Sequence, residues 1–328
     1  MNGCPQALRG RTLLILITAL SAVVAANFAH AAALRDAEPK AVQTLLEASR
    51  SDDALLRMHA VEGAKSMPDR ALPMVQLALR DENPAVRFAA LVTMGRLQFD
   101  SLAPQALRLA DDPTQPDYVE AAALFAATRC GEEVDLGRLA AMLWDDDLQT
   151  RSNAALLFGL TDQKQVVPVL LDASEAPMER ARPVERELVR LQLTEALLNL
   201  GHDDSLKALR GAAYSSQDEV RILATLMLGR AKDRGMQGNL IGFLAKNPVE
   251  LRLAAAESLA RMGSLEGLPV MLEAAQMPAA TVRSQAAFAL GQATADARAA
   301  AALVALLDDT EPRVRIAAAA ATLEAINR

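Results

Sequence analysis

Apolar residues recur along this chain at helical spacing, and the helical pattern itself recurs about every 31 residues. Its marker is a residue, usually apolar, followed by arginine: Leu56-Arg57, Val86-Arg87, Thr150-Arg151, Val189-Arg190, Val220-Arg221, Leu251-Arg252, Val282-Arg283 and Val314-Arg315. Val119-Glu120 keeps the place and changes the charge. The steps between successive markers are 30, 33, 31, 39, 31, 31, 31 and 32 residues. A fixed period in this range means one supersecondary unit repeated along a solenoid.

Counting from the residue before each arginine as position zero, position four is alanine in eight of nine copies, and only Leu193 departs. Positions zero, four, eight and eleven make one apolar stripe, such as Leu251, Ala255, Leu259 and Met262. That spacing predicts the buried face of a first helix in each unit. Glu257 falls off the stripe and is expected to be exposed. Position nine is glycine at Gly95, Gly159, Gly229 and Gly291. Glycine inside a helix costs about 1 kcal/mol relative to alanine, so its recurrence predicts close packing where a side chain would clash.

A second helix follows in each unit, with Pro73, Pro104, Pro168 and Pro269 placed near its start. Asn83-Pro84 and Asn247-Pro248 read as an N-cap followed by proline at the first helical position. The acidic clusters, such as Asp52-Asp53 and Asp145-Asp146-Asp147, fall at helix starts, where the macrodipole favours them. A row of calcium sites is the other reading, but no D-x-D-x-D-G loop supports it. The arginines read either as a basic ladder or, preferably, as forks that pair with the acidic turn of the adjacent unit. Nothing alternates with period two, so the predicted fold is all-α: a solenoid of about nine helix-pair repeats.

The ninth unit stops after its first helix, about Pro312 to Ile326, with no second helix to cover it. Its alanine run from Ala317 to Ala321 exposes little apolar area, so a self-capped monomer is expected rather than a dimer through that end.

The N-terminus reads differently. Arg9 and Arg11 precede an apolar run from Leu13 to Ala26, and Ala29-His30-Ala31 forms an A-x-A cleavage site. Residues 1–31 therefore read as a secretory signal peptide and residues 32–328 as the repeat domain, periplasmic or secreted, with no membrane insertion after cleavage. The run is short for a membrane span, which needs about 20 apolar residues. The remaining chain has one cysteine, Cys130, at core position eleven, so no disulfide can form within it. Its residues are 52% hydrophobic but only 3% aromatic over the whole chain, which suits alanine- and leucine-rich helix packing. The formal net charge of −7, with no clustered basic segment, argues against nucleic-acid binding.

Helix pairs of about 31 residues carrying V-R-x-x-A near the start of the first helix, with an acidic turn between units, resemble HEAT repeats. The short period is similar to the subgroup found in phycobilin lyases. The resemblance covers roughly residues 40 to 328. It implies a right-handed superhelix whose second helices line the concave face. Deoxyhypusine hydroxylase, an enzyme of this family, binds iron through His-Glu pairs. Neither His59 nor His202 precedes a glutamate, so that activity is not expected.

No catalytic residue, cofactor site or metal site is predicted. His202-Asp203-Asp204 is too sparse for a metal and reads as a helix cap. Two irregularities stand out. The surplus of about eight residues before the marker of the fifth unit lies within Ser174 to Glu185 and reads as a loop, either a binding insertion or a tolerated one. The third unit carries Tyr118 and ends at Trp144, the one tryptophan, which reads as an interface anchor or a core residue. The candidate partner-binding residues are Tyr118, Trp144, Met178, Arg180 and Arg182. The expected function is a non-enzymatic, exported scaffold for a protein or peptide partner. The alternatives are a lyase or cofactor-handling enzyme, and an envelope-structural protein with no specific client.

Overall fold

The structure, a computed structural model, describes residues 31–328. The signal-peptide expectation falls on residues 1–30 and so lies outside the described residues. Among the described residues there are helices and turns and no strand.

The arginine-bearing helices are α2 (Ala54–Gly63), α4 (Pro84–Leu97), α6 (Asp117–Arg129), α8 (Leu148–Phe158) and α10 (Pro183–Asn199). They continue as α12 (Asp218–Arg230), α14 (Val249–Arg261), α16 (Ala280–Gln292) and α18 (Pro312–Ile326). The alternating set begins with α1, described over residues 31–48. It continues through α3 (Pro68–Ala78), α5 (Ala103–Ala110), α7 (Gly137–Ala141) and α9 (Val167–Glu175) to α11 (Leu206–Ala212), α13 (Gln237–Phe243), α15 (Leu268–Ala274) and α17 (Ala297–Ala305).

Packing follows the predicted stripe. The position-four alanines, from Ala60 to Ala318, are fully buried, as are Leu251 and Leu259. Glu257 is an exception to its expectation: it is half-buried and paired with Arg261 at 2.9 Å. The position-nine glycines sit where predicted. A Cβ on Gly159 would lie 2.7 Å from Ala196 Cα, and one on Gly229 would lie 2.6 Å from Ser258 Cα. These are backbone atoms that cannot step aside. Position seven adds a buried hydrogen bond between neighbouring helices: Thr93 Oγ1 donates to the Val61 carbonyl at 3.1 Å, and Ser258 Oγ to the Thr225 carbonyl at 2.8 Å.

Capping agrees in part. Asn83 accepts from the Ala85 N–H with Pro84 opening α4, and Asp53 and Asp147 cap α2 and α8 in the same way. Pro248 itself occupies the cap position of α14, which begins at Val249, so Pro248 is not the first helical residue. Pro73 lies inside α3, which opens on Pro68.

The two ends of the solenoid meet. Helix α18 packs beside α2, so the nine arginine-bearing helices form a closed inner ring. Helix α1 supplies the second helix that the ninth unit lacks. Its Leu34, Ala41 and Leu45 share one core with Leu303, Val314, Ala318 and Leu323. Gly63 admits the closure: a Cβ there would lie 3.2 Å from Ala320 Cβ. Asn327 Nδ2 donates to the Ser66 carbonyl at 2.7 Å, and Lys40 pairs with Asp308. The expectation of an uncovered C-terminal end is therefore wrong. Stacking nine units curves the chain far enough for one end to cap the other, and a free apolar end in water is avoided.

The surplus before α10 is also not wholly a loop. Helix α9 runs to Glu175, the loop covers 176–182, and α10 opens on Pro183 and is 17 residues long. Arg186, not Arg190, reaches back to the carbonyl of Ala181 at 2.9 Å, as the other repeat arginines reach back to their own turns. The marker arginine has slipped by one helical turn in this unit. About half of the insertion is that added turn.

Candidate functional site

Two features of the ring stand apart from its packing. The first is the lumen. Because α4, α16, α18 and the others turn the same faces inward, their positions three, six and ten meet around a common axis. The lumen is thus lined by the arginine-bearing helices and not by the second helices, contrary to what the resemblance implied. One stretch, about 580 Å³, is walled by Phe88, Val92, Leu156, Phe288, Ala317 and Ala320. Phe288 is 43% exposed, on a chain otherwise poor in aromatic residues. His59 and Glu62 pair on its wall at 3.0 Å. Phe88 is fixed by an edge-to-face contact with Tyr118, ring centroids 5.8 Å apart.

The second stretch, about 970 Å³, opens where the inner helices end. Its side chains include Lys65, Arg96, Arg129, Arg230, Arg261 and Arg328. Four of these are position-ten residues in the last turns of their helices, where the carbonyl ends attract cations. Three are matched by carboxylates: Arg129 by Asp162, Arg230 by Glu195 at 2.7 Å, and Arg261 by Glu257. Arg328 bonds to Gln292 and to the Gly291 carbonyl. Lys65 and Arg96 have no hydrogen-bond or ion-pair partner among the described residues, and they belong to both stretches. Both are open to lumen water yet enclosed by the ring wall. Enclosure, with Arg96 nearby, holds the Lys65 ammonium below its ordinary value. Enclosure does the same to Arg96, with Arg230 adding to it and Glu195 opposing it.

The other feature is a cleft at the edge of the ring where α8 begins, about 510 Å³, between the end of the 3-10 turn Met142–Trp144 and the 176–182 loop. Trp144 is 43% exposed here and has no core role. Its carbonyl accepts from Arg151 Nη2 at 3.0 Å, which fixes the backbone beneath the ring. Arg180 is exposed on the cleft wall. Met178 also touches the cleft, but it is only 6% exposed and packs into the core, so it anchors the loop and is not available to a partner. Arg182 sits at the start of α10, where Glu185 accepts from its backbone N–H at 2.8 Å and pairs with its guanidinium. Tyr118 packs against Phe88 and the core, apart from this cleft. Of the five predicted residues, Trp144 and Arg180 share the cleft and Met178 anchors its loop, while Tyr118 and Arg182 lie elsewhere.

The sequence reading missed the lumen cations. The signal was present: counting to position ten finds arginine in four of nine units. It carried no weight until ring closure brought those positions together.

Chemically, the histidines are occupied locally. His202 Nδ1 and Ser205 Oγ lie 2.9 Å apart within one turn, a side-chain contact and not the expected helix cap, because neither this turn nor α11 has a side-chain cap. Burial pushes the Cys130 thiol up to about 11. Among the described residues, no three His, Cys, Asp or Glu side chains gather closely enough to hold a metal ion, and no helix is long and apolar enough to cross a membrane.

No curated protein matches the chain in sequence. Among solved structures, the chain is similar to the complex of CpcE and CpcF of phycocyanin lyase from Nostoc sp. PCC7120, at 17% identity, with a TM-score of 0.43, over 74% of this chain and 91% of that one. It is similar to human deoxyhypusine hydroxylase in complex with glycerol at 17% identity and a TM-score of 0.37, over 88% of this chain and 96% of that one. Kap121p matches at 14% identity and a TM-score of 0.36, over 85% of this chain and 37% of that one. At such identities the likeness extends to the helical-repeat fold alone. The family model of HEAT repeats matches residues 43–128 and 236–324. Those spans are more than half of the chain, and the chain belongs to the HEAT-repeat family.

Proposed function

We propose that this HEAT-repeat ring is an exported scaffold of the cell envelope that binds a protein partner through the Trp144 cleft, without catalysing a reaction. The observation that carries the reading is Trp144 itself. A large aromatic side chain is 43% exposed beside a cleft formed by the one unit with an inserted segment. Tryptophan and arginine are favoured anchors at interfaces, and Trp144 and Arg180 share this wall. Ring closure narrows the options. The inner helices meet around a lumen, so a partner cannot lie along an open concave groove and must dock on the outside or the edges.

The test uses site-specific photo-crosslinking from the cleft in intact cells. A discrete adduct formed from position 180 and lost with Trp144→Ala, but kept with Leu77→Ala on the far outer face, supports the reading. Adducts that ignore Trp144 overturn it. The export half rests on Arg9, Arg11, the apolar run and Ala29-His30-Ala31. The processed protein should begin at or near Ala32 by N-terminal sequencing, and a stable full-length cytoplasmic product removes that half.

A further inference from the structure

We propose that the lumen of the ring is a binding site for a long-chain carboxylate, an anionic amphiphile whose charged head sits at Lys65 and Arg96 and whose chain lies along Phe88, Val92, Leu156 and Phe288. The two halves of such a ligand are matched by two halves of one continuous channel. The apolar half, about 580 Å³, lies within the range of about 300–1,000 Å³ usual for small-molecule sites. It exposes a phenylalanine that folding alone gives no reason to leave in water.

The head-group half follows from the charge pairing. Helix dipoles explain why arginines stand in the last turns of α4, α6, α12 and α14. They do not explain why two cations at the junction lack a partner among the described residues while their neighbours are matched. The carboxylates that act on them are engaged elsewhere, Glu324 with Gln292 at 3.0 Å, Glu62 with His59, and Glu195 with Arg230 at 2.7 Å. The Lys65 ammonium feels Arg96 as a like charge and the Arg96 guanidinium feels Arg230 in the same way, so a carboxylate entering at this junction relieves both. The sense of their pKa displacement, downward from enclosure and from like charge, is the one that an anion would reverse. The site is separate from the Trp144 cleft, so either assignment can fail without the other.

The experiment is isothermal titration of the delipidated full ring with dodecanoate. Dodecanol, acetate and an acidic-ended peptide serve as comparison probes. Dodecanoate is expected to bind at one per chain. Removing its charge, as in dodecanol, is expected to weaken binding about tenfold or more, as the loss of a charge-assisted bond does. Arg96→Glu and Phe288→Asp are each expected to weaken dodecanoate by a similar factor, with the melting temperature reported alongside. Tyr214→Ala, on the outer surface, should change nothing. The inference is overturned if dodecanoate shows no saturable binding. It is also overturned if dodecanol binds equally well, if acetate binds as tightly as dodecanoate, if the peptide binds more tightly, or if folded Arg96→Glu and folded Phe288→Asp both bind as the parent does. If Arg96→Glu fails to fold, Arg96→Gln takes its place, with the same expected and excluding results.

Discussion

Arg283 and Asp309 form a two-pronged ion pair between successive units, with Nε and Nη2 2.7 and 2.9 Å from the two carboxylate oxygens. The third nitrogen, Nη1, donates to the carbonyls of Met277 and Pro278 in the turn before its own helix. Arg57 and Asp81 repeat the arrangement at 2.7 and 2.8 Å. Arg57 and Arg283 thus tie their own turn to the next one by an ion pair, and Arg87 does so through Gln115, while Arg221 pairs with Asp218 of its own helix and Arg315 holds only its own turn. The tether reading therefore holds for part of the arginine row. The tether loosens in the seventh unit, where Arg252 reaches Glu273 only at 3.8 Å and its Nε is buried with no partner among the described residues.

Replacing Asp309 by Asn should destabilise the ring by about 1–3 kcal/mol, since a charge-assisted, half-buried pair is lost and Arg283 is left behind. The pH dependence follows from the same pair. The Arg283 fork holds Asp309 below the usual carboxylate range, and the Arg210 fork does so for Asp233. A carboxylate depressed in the folded state adds stability above its unfolded value, about 3.9, and loses it as pH falls through the lower folded value. Urea midpoints should therefore be level from about pH 7 to 5 and fall below about pH 4, less steeply for Asp309→Asn. An identical acid slope in parent and variant would count against the tether.

Gly229 and Gly238 make a matched pair for a second test. A methyl on Gly229 meets the Ser258 backbone at 2.6 Å, whereas one on Gly238 meets nothing within 4 Å. Gly229→Ala should cost about 1–3 kcal/mol through overpacking. Gly238→Ala, inside α13, should be neutral or stabilising by up to about 1 kcal/mol through helix propensity. Equal effects in thermal denaturation would mean that the inner helices are not so closely packed.

The sequence made local features legible and left cyclic ones obscure. The buried stripe, the glycine contacts and the tether each depend on residues within one period, so Ala255, Gly229 and Arg283 could be read by counting. Closure depends on Leu45 and Ala318 entering one core and on Asn327 bonding to Ser66, pairs separated by nearly the whole chain. No periodicity encodes the curvature that brings them together. The hint lay in the arithmetic of elements: nine arginine helices, eight following helices, and an unassigned helical stretch before the first. The slip from Arg190 to Arg186 was hidden for another reason. The C-terminal half of α10 keeps the common register, with Gly201 two residues past its end as Gly131 is past α6 and Gly263 past α14, so the added turn falls between two intact landmarks.

Cys130 gives a third prediction. Burial raises its thiol to about 11, so almost no thiolate exists near neutral pH. A Cys4→Ser variant, used so that one thiol remains, should resist a disulfide reagent at pH 8 while folded and react fully in denaturant. Rapid labelling of the folded ring would place Cys130 outside the core.

The final prediction concerns the closed ring and its oligomeric state. Leu323 is buried on α18 in the core shared with α1 and α2, and Gly63 faces Ala320 across the same seam. With α1 covering α18, the surface that would drive a dimer through the C-terminal end is already used within the chain. Light scattering should therefore give one chain per particle, independent of concentration. Leu323→Asp buries an unpaired carboxylate and should destabilise the fold by about 3 kcal/mol or more. Its effect should appear as lowered stability and not as a change in oligomeric state. Gly63→Val adds bulk where Leu45 and Ala320 already stand within 3.1 to 3.2 Å of a Cβ, and should cost about 1–3 kcal/mol. In both variants, hydrogen exchange should quicken first in α1, α2 and α18, because opening the seam frees those helices before the opposite side of the ring. A dimer that dissociates in Leu323→Asp without loss of stability would show that the seam lies between chains, and the ring would have to be redrawn as an open solenoid.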